Sequence, residues 1–354
     1  MQTTVVKEMH QSAPYLTDMI KMWDANPHTR PSTKQEKKAV QMLDRLKLVV
    51  KEVKGSSGYK QRRRNEVRAL MKKYCTPALF VTINPSDVNH PLVSIMAGIE
   101  PDVWHSMDYH SRAEFLASNL GPATQFLDVM IKSFLDVVIQ YGDDEDGLLG
   151  KCKAYYGMVE AQGRGTLHYH MLFWLEGNPS PQELRDHMEA NPTFKIGMFL
   201  WLESIIKCEL TRTTQVVKES GKALQRPELP ADSVDSRIAL GLILTNDNEQ
   251  QFEKDFTTFV TKLTTACNWH KHMFMCWTHL KKGEIGDNSN CRMCIDGSTQ
   301  VITDLDPETM SILLCCLHLH INNFNELIIF LVQCNIDITY IGSRKVAKAL
   351  IYYI

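Results

Sequence analysis

The chain has 354 residues, of which 44% are hydrophobic and 23% are charged, and its formal net charge is −2. This composition is that of an ordinary globular protein, and the length allows two or three domains. No segment approaches the roughly eighteen consecutive apolar residues of a membrane span, and residues 1–9 contain no apolar signal region. We therefore expect neither membrane insertion nor secretion, and we expect the ten cysteines to be reduced thiols or metal ligands.

The N-terminal part, residues 1–74, is polar and basic and predicts helices. Apolar residues recur at helical spacing within 33–54, and a Gly-Ser-Ser-Gly break separates that segment from a second helix at 61–73. Between residues 30 and 73 there are fifteen lysines and arginines against four acids. The excess indicates either a solvated helix face or a surface that neutralises nucleic-acid phosphates. The candidate phosphate contacts are Arg62, Arg63 and Arg64.

The rest of the chain predicts both strands and helices. A β-branched and aromatic run predicts a buried strand at 77–85, and apolar residues at steps of three and four predict a helix at 112–141. Two strands, 154–162 and 167–175, flank Gly163-Arg164-Gly165, which is the spacing of a hairpin. Further along, the pattern predicts a helix from Pro181, no clear period at 211–250, a strand at 335–341 and a terminal helix at 344–354.

The triplet His168-Tyr169-His170 is the strongest functional signal. Residues i and i+2 of a strand point to the same face, so both imidazoles can reach one divalent cation. Glu160 and Gln162 share a face of the preceding strand and are candidates for a further ligand. The competing interpretation is a pair of hydrogen-bonded, half-buried histidines without a metal.

A second set of metal-ligand residue types lies between Cys267 and Cys294. The preferred ligands for a structural zinc ion are His272, Cys276, Cys291 and Cys294, because a Cys-x-x-Cys pair and a nearby His/Cys pair supply the donors that zinc prefers. The other candidates are His270, His279 and Cys267. The competing interpretation is a set of scattered thiols and surface histidines.

The chain ends in Ile351-Tyr352-Tyr353-Ile354 on the predicted terminal helix. A nucleophilic tyrosine needs a cation or base nearby, since its unperturbed pKa is near 10. Lys345 lies closer to the helix face of Tyr353 than Lys348 does. The competing interpretation is an aromatic packing pair.

Together these runs resemble the N-terminal replication-initiator (Rep) nuclease region of Helitron rolling-circle transposases, which belong to the HUH endonuclease superfamily. The resemblance extends over roughly residues 75–354. The matching runs are 77–85 with Asp87, 154–177, the His/Cys segment, 321–325 and 334–353.

The resemblance implies a reaction and a ligand set. His168 and His170, with Glu160 or Gln162, would hold Mg²⁺ or Mn²⁺ at the scissile phosphate of single-stranded DNA. Tyr353 matches the first of the family's two nucleophilic tyrosines and would form a 5′-phosphotyrosine, leaving a free 3′-hydroxyl. Arg164 and Lys348 would be further DNA contacts. A nuclear location is implied as well, although the sequence has no clear targeting signal beyond its basic N-terminal run.

Two departures from the family pattern predict a truncated transposase. The second tyrosine would lie beyond Ile354, and no phosphate-binding Gly-x-x-x-x-Gly-Lys-Ser/Thr run occurs, so the C-terminal helicase domain of full-length relatives is missing from this sequence. The alternative functions are a catalytically inactive DNA-binding remnant and, less favoured, an unrelated zinc-dependent regulator.

The expected fold class is α+β, with a central antiparallel sheet of the HUH/Rep type and packed helices. The predicted division is a basic helical extension (1–74), a nuclease core (75–260), a zinc-binding insertion (261–300) and the end of the core with the tyrosine helix (301–354). The sequence does not predict an oligomeric state.

Overall fold

The structure, a computed structural model, describes residues 2–50, 53–161, 166–220, 225–228, 237, 249–281, 283–292, 299–318 and 320–342. The chain divides into two compact units, Met1–Lys72 and Lys73–Ile354. The finer divisions at 260 and 300 stay predictions. Among the described residues, no helix is both long enough and apolar enough to cross a membrane.

Helices and strands follow one another along the chain in a mixed order. The helices are α1 (Gln2–Ala25), α2 (Lys34–Val50), α3 (Ser57–Tyr74), α4 (Pro91–Met96), α5 (Pro101–Ser106), α6 (Tyr109–Ser118), α7 (Leu120–Ser133), α8 (Pro181–Ala190), α9 (Pro192–Ile205), α10 (Thr214–Ser220), α11 (Glu249–Leu263) and α12 (Glu326–Val332). The strands are β1 (Leu79–Asn84), β2 (Cys152–Ala161), β3 (Leu167–Leu175), β4 (Asp304–Leu305), β5 (Ile312–Leu313) and β6 (Asn335–Tyr340). Single π-helical turns extend α7 over Phe134–Val138 and α11 over Thr264–Asn268.

The first unit is helical, as its sequence predicts. α2 begins with a reciprocal cap, in which Glu36 accepts hydrogen bonds from the backbone of Ser32 and Thr33 while the Thr33 hydroxyl accepts one from Glu36 N. On α3, Arg62 and Arg63 both bond to Glu66, at 3.3 and 2.8 Å. Such partly exposed pairs are worth less than about 1 kcal/mol, so a phosphate can compete with Glu66 for either guanidinium.

The main sheet has four strands in the order β2-β3-β1-β6, and every neighbouring pair is antiparallel. The central antiparallel sheet, its hairpin and its β6 strand are therefore confirmed. β1 ends at Asn84, directly before Pro85, which lacks a backbone donor for a further ladder bond. A separate two-stranded sheet, β4-β5, was not predicted.

The two faces of the sheet differ in chemistry. One face carries the apolar side chains of Val81 on β1, Met171 on β3 and Ile336 on β6, and residues of α7, α11 and α12 pack in the same cluster. The other face carries the side chains that alternate with these, including Thr82, His168 and His170. A mixed helix-and-sheet architecture thus keeps one sheet face for the core and leaves polar groups on the other.

The loop from β1 to α4 contains a half-buried histidine with a testable pH effect. His90 Nδ1 accepts the Leu92 backbone N–H at the start of α4, and its ring lies 4.5 Å from the Phe126 ring. Burial lowers the pKa of His90 from 6.5 to about 4. Between these two values His90 is protonated in the unfolded chain but neutral in the folded chain. The free energy of unfolding therefore decreases as the pH falls from 6.5 towards 4.

We expect the His90→Asn variant to lose this sensitivity to acid. Asparagine can still cap α4 but does not titrate. Between about pH 7.5 and about pH 5, the free energy of unfolding should fall by about 2 kcal/mol less in the variant than in the parent protein. Urea unfolding at each pH measures this difference. The exposed His187 provides the matched control His187→Asn, which should keep the parent slope, and an unchanged slope in His90→Asn would contradict the assignment.

Candidate active site and metal centre

The hairpin of β2 and β3 places three of the predicted metal ligands on one face of the sheet, with the ring centroids of His168 and His170 6.4 Å apart. Glu160 lies directly across from His168 in the ladder, so both side chains lie on the polar face of the sheet. His168 and His170 are 6% and 8% exposed. The Glu160 carboxylate reaches diagonally to His170 and stands 2.9 Å from its Nε2.

Neighbouring residues of β1 hold the His170 ring in place. Thr82 lies opposite His170, and its hydroxyl is 3.0 Å from His170 Nδ1. The Phe80 ring stacks on the imidazole with the ring centroids 5.7 Å apart and the planes 4° from parallel. With Nδ1 engaged by Thr82, Nε2 is the nitrogen directed at Glu160, which is the arrangement of a metal-binding histidine with a hydrogen-bonded partner behind it.

The electrostatics of this face favour neutral imidazole beside carboxylate. Burial lowers the pKa of His168, the neighbouring His170 lowers it further, and Glu160 opposes the shift. Neutral imidazole is the form that ligates metals. His168 therefore stays ready to bind a cation at a lower pH than an exposed histidine would.

Two acids near the histidines were not among the predicted ligands. The Asp87 carboxylate accepts the Val88 backbone N–H at 2.8 Å and also the backbone N–H of Leu167, next to His168. Asp337 on β6 lies opposite Thr82. Burial raises the pKa of each to about 6. Raised carboxyl pKa values of this kind are typical of functional sites. The only signal for these two acids in the sequence is that Asp87 follows a strand and Asp337 lies within one.

The spacing of Glu160 and His170 is compatible with two ligands of one divalent cation. Adjacent ligands of an octahedral ion lie about 3.0 Å apart when the bonds are about 2.1 Å, and the Glu160–His170 separation is 2.9 Å. Carboxylate suits Mg²⁺ and Mn²⁺, whereas two imidazoles move the preference towards transition metals. Gln162, Arg164, Lys348 and Tyr353 lie outside the described residues, so their predicted roles stay predictions.

The His/Cys segment forms a second cluster in the same unit. The donor atoms of His270, His272, Cys276 and Cys291 all lie within 4.8 Å of one another. His270 Nε2 is 3.3 Å from His272 Nδ1, 3.5 Å from Cys276 Sγ and 3.6 Å from Cys291 Sγ. Tetrahedral zinc with ordinary bond lengths requires about 3.3–3.4 Å between two nitrogens and about 3.5–3.6 Å between nitrogen and sulfur. The cluster can therefore hold a metal such as zinc.

Local backbone turns place these donors. Phe274–Trp277 form a 3-10 turn, and the Met273 backbone N–H points at Cys276 Sγ at 3.5 Å, as a donor to a thiolate does. The His270 backbone N–H donates to His320 O at 2.6 Å. Both thiol-bearing residues are buried. The loop thus presents preformed donors on a fixed backbone.

Three of the four preferred zinc ligands are in this cluster. The fourth, Cys294, lies outside the described residues, and His270, one of the additional candidates, completes the set of described donors. His279 is exposed and Cys267 is half-buried, and neither belongs to the cluster. The spacing located the segment, the described geometry adds His270 to the candidates, and the role of Cys294 stays a prediction.

A comparison with known protein families found a match to the N-terminal part of the chain. Residues 3–173 match the family described as the Helitron helicase-like domain at the N-terminus. This segment is similar to the N-terminal region of Helitron transposases. A comparison with curated proteins found no match. The resemblance to Helitrons stated from the sequence motifs is therefore confirmed within residues 3–173, and its predicted extension over 174–354 stays a prediction.

The Helitron match includes the hairpin site but ends before the His/Cys cluster. Glu160, His168 and His170 all lie inside the matched residues, whereas His270 and Cys291 lie outside them. The match supports a transposase-related function on DNA. The chemistry at the hairpin and the identity of either metal rest on the geometry described above.

Proposed function

We propose that this chain is an HUH-type nuclease that nicks single-stranded DNA and transfers the strand through a 5′-phosphotyrosine during rolling-circle transposition. The observation that carries the proposal is the approach of the Glu160 carboxylate to His170 Nε2, 2.9 Å away, beside the buried His168 on paired strands. The Helitron match over the same hairpin supports a DNA substrate.

The proposed roles follow from the residue chemistry. His168, His170 and Glu160 hold Mg²⁺ or Mn²⁺, which when bound polarises the scissile phosphate. The phenolic oxygen of Tyr353 bonds to phosphorus, the bond from phosphorus to the 3′-oxygen breaks, and that oxygen leaves as a 3′-hydroxyl after taking up a proton. Thr82 keeps His170 in the orientation that directs Nε2 to the cation. Gln162 is an alternative to Glu160 as a ligand.

The His/Cys cluster has a structural role in this proposal. Two imidazoles and two thiolates fill the coordination of tetrahedral zinc and leave no position for a substrate or water. The cluster therefore stabilises the fold and does not take part in the reaction.

The DNA contacts are the basic residues singled out in the sequence. Arg62, Arg63 and Arg64 on α3, with Arg164 and Lys348, neutralise backbone phosphates, and the resulting affinity falls as salt rises. A protein with this substrate acts on genomic DNA, so the proposed location is the nucleus.

A covalent-adduct assay tests the proposal. The purified chain is incubated with 3′-labelled single-stranded DNA and Mn²⁺ and is then run on a denaturing gel. We expect a labelled protein band that disappears in His168→Ala and in Tyr353→Phe. The exposed His187 on α8 supplies the matched control, His187→Ala, which should keep the band.

The opposite result is equally informative. If the folded parent protein forms no adduct but still retains DNA in a mobility-shift assay, the nuclease proposal fails and the non-cleaving DNA-binding remnant replaces it. A band that survives Tyr353→Phe would overturn the assignment of the nucleophile.

A further inference from the structure

The outer edge of the main sheet receives hydrogen bonds from two places, the backbone carbonyl of Asn323, which accepts from Ile338 N at 3.0 Å, and the side chain of Asn268. β6 is the last strand of the sheet, so the outward backbone groups of Ile336 need partners. Asn268 supplies both, since its Oδ1 accepts from Ile336 N at 3.0 Å and its Nδ2 donates to Ile336 O at 2.9 Å. The carboxamide thus makes the two hydrogen bonds that a neighbouring strand would make with Ile336.

The surroundings of Asn268 leave it little freedom. The residue is 1% exposed, and its Oδ1 also accepts from Asn335 Nδ2 at 3.2 Å. The backbone carbonyl of Asn268 accepts from Asn322 N at 3.1 Å. Because all these groups are buried or half-buried, a lost partner leaves backbone groups without hydrogen bonds at the sheet edge.

The same short segment leads directly into the His/Cys cluster. Asn268 ends the π-helical turn after α11, Trp269 forms a bridge with Ile321, and His270 follows as a metal-ligand candidate. Only Trp269 separates Asn268, whose side chain is the clamp on Ile336 of β6, from His270, the first donor residue of the cluster. A metal that fixes His270 therefore also fixes the backbone from which the Asn268 side chain projects.

We propose that Asn268 is a positioning residue that couples metal binding at the His/Cys cluster to the sheet edge beside the histidine site. On the sheet side, Asp337 follows Ile336 and pairs with Thr82, whose hydroxyl contacts His170 Nδ1 at 3.0 Å. Zinc at the cluster thereby holds β6, and β6 holds the strand that orients His170. The inference rests on metal binding at the cluster and does not require DNA cleavage.

Hydrogen exchange of the full chain, with and without zinc, tests the coupling. In the parent protein, removing zinc with a chelator should accelerate amide exchange of β6 by about 10- to 100-fold, the effect of leaving one or two buried groups unpaired. Asn268→Ala, loaded with zinc, should show the fast exchange in β6 already. Asn322→Ala is the matched control, because it keeps the backbone donor to Asn268 and leaves the clamp intact.

Co²⁺ and Mn²⁺ provide the remaining readouts. The Co²⁺ absorption spectrum of Asn268→Ala should equal that of the parent, which shows that the cluster itself is intact. Mn²⁺ affinity at the histidine site should be several-fold weaker in Asn268→Ala than in Asn322→Ala, as expected when the support of a ligand is lost.

Two results would overturn the coupling. One is zinc-loaded Asn268→Ala with parent-like exchange in β6, and the other is zinc removal that opens the cluster while β6 stays protected. If chelation unfolds the whole unit, the zinc-loaded variant alone decides. If the parent binds no Mn²⁺, the proposed nuclease site fails, whereas the exchange result still decides the role of Asn268.

Discussion

Replacing Cys276 and Cys291 together by serine is expected to abolish zinc binding and to lower the midpoint of thermal unfolding by about 10 °C. The two thiolates supply half of the donor set, and serine hydroxyls are poor replacements at the spacing of a tetrahedral site. Zinc at about a thousandfold its dissociation constant stabilises the folded state by about 4 kcal/mol, and that contribution is lost in the variant. Metal analysis and circular dichroism measure the two effects.

A matched substitution separates the metal from general thiol chemistry. Cys75 is exposed and lies outside the cluster, so Cys75→Ser should keep one zinc ion and the parent melting temperature. Equimolar zinc in the Cys276→Ser, Cys291→Ser protein would show that these residues are not the ligands. A zinc-free variant with unchanged stability would contradict the structural role.

The same measurement decides between His270 and Cys294. The sequence spacing favours Cys294, while the described geometry places His270 in the cluster. We expect His270→Ala to weaken zinc binding more than Cys294→Ser does. A larger effect of Cys294→Ser would restore the ligand set predicted from spacing.

Local pattern was sufficient for the hairpin. Alternation of side chains, β-branched residues and a Gly-Arg-Gly turn predict β2 and β3 within two residues of their ends, and the His168/His170 pair follows from the period of a strand. The contact between Glu160 and His170 needs only the ladder register of adjacent strands. These features depend on neighbours in the chain, which is why the sequence contains them.

Contacts between distant segments were not predictable in the same way. Thr82 meets His170 because β1 inserts between β3 and β6, a strand order that no periodicity encodes. Asp87 and Asp337 approach the site through the same topology. Asn268 is an unremarkable polar residue in the sequence, and its hydrogen bonds to Ile336 on the outer edge of β6 arise only in the fold.

One missed element did have a local signal. α12 consists of an apolar run, Glu326–Val332, which periodicity alone does not distinguish from a strand. Asn325 precedes it and accepts hydrogen bonds from Leu327 N and Ile328 N at 3.0 and 3.1 Å, as a helix N-cap does. The Asn-Glu pair at the start of the run was therefore the cue for a helix.

The His168→Ala, His170→Ala double variant is expected to lose more than about 100-fold in Mn²⁺ affinity while it keeps its zinc. Removing both imidazoles leaves Glu160 as the remaining described ligand, and a single carboxylate binds hard cations weakly at neutral pH. Titration followed by electron paramagnetic resonance measures free Mn²⁺ directly. The zinc content serves as the internal control for folding, since the His/Cys cluster uses other residues.

A substitution at Thr82, which contacts the proposed ligand His170, should lower Mn²⁺ affinity by a smaller amount. Thr82→Val keeps the shape of the side chain and removes the hydroxyl 3.0 Å from His170 Nδ1, so Mn²⁺ affinity should fall by about 10- to 100-fold, less than in the double variant. Because burial and then His170 lower the pKa of His168, protons compete with a cation for this imidazole less than they do at an exposed histidine. Equal Mn²⁺ affinity in all three proteins would mean that the histidines are structural residues of the sheet, and the hairpin would then not be the catalytic site.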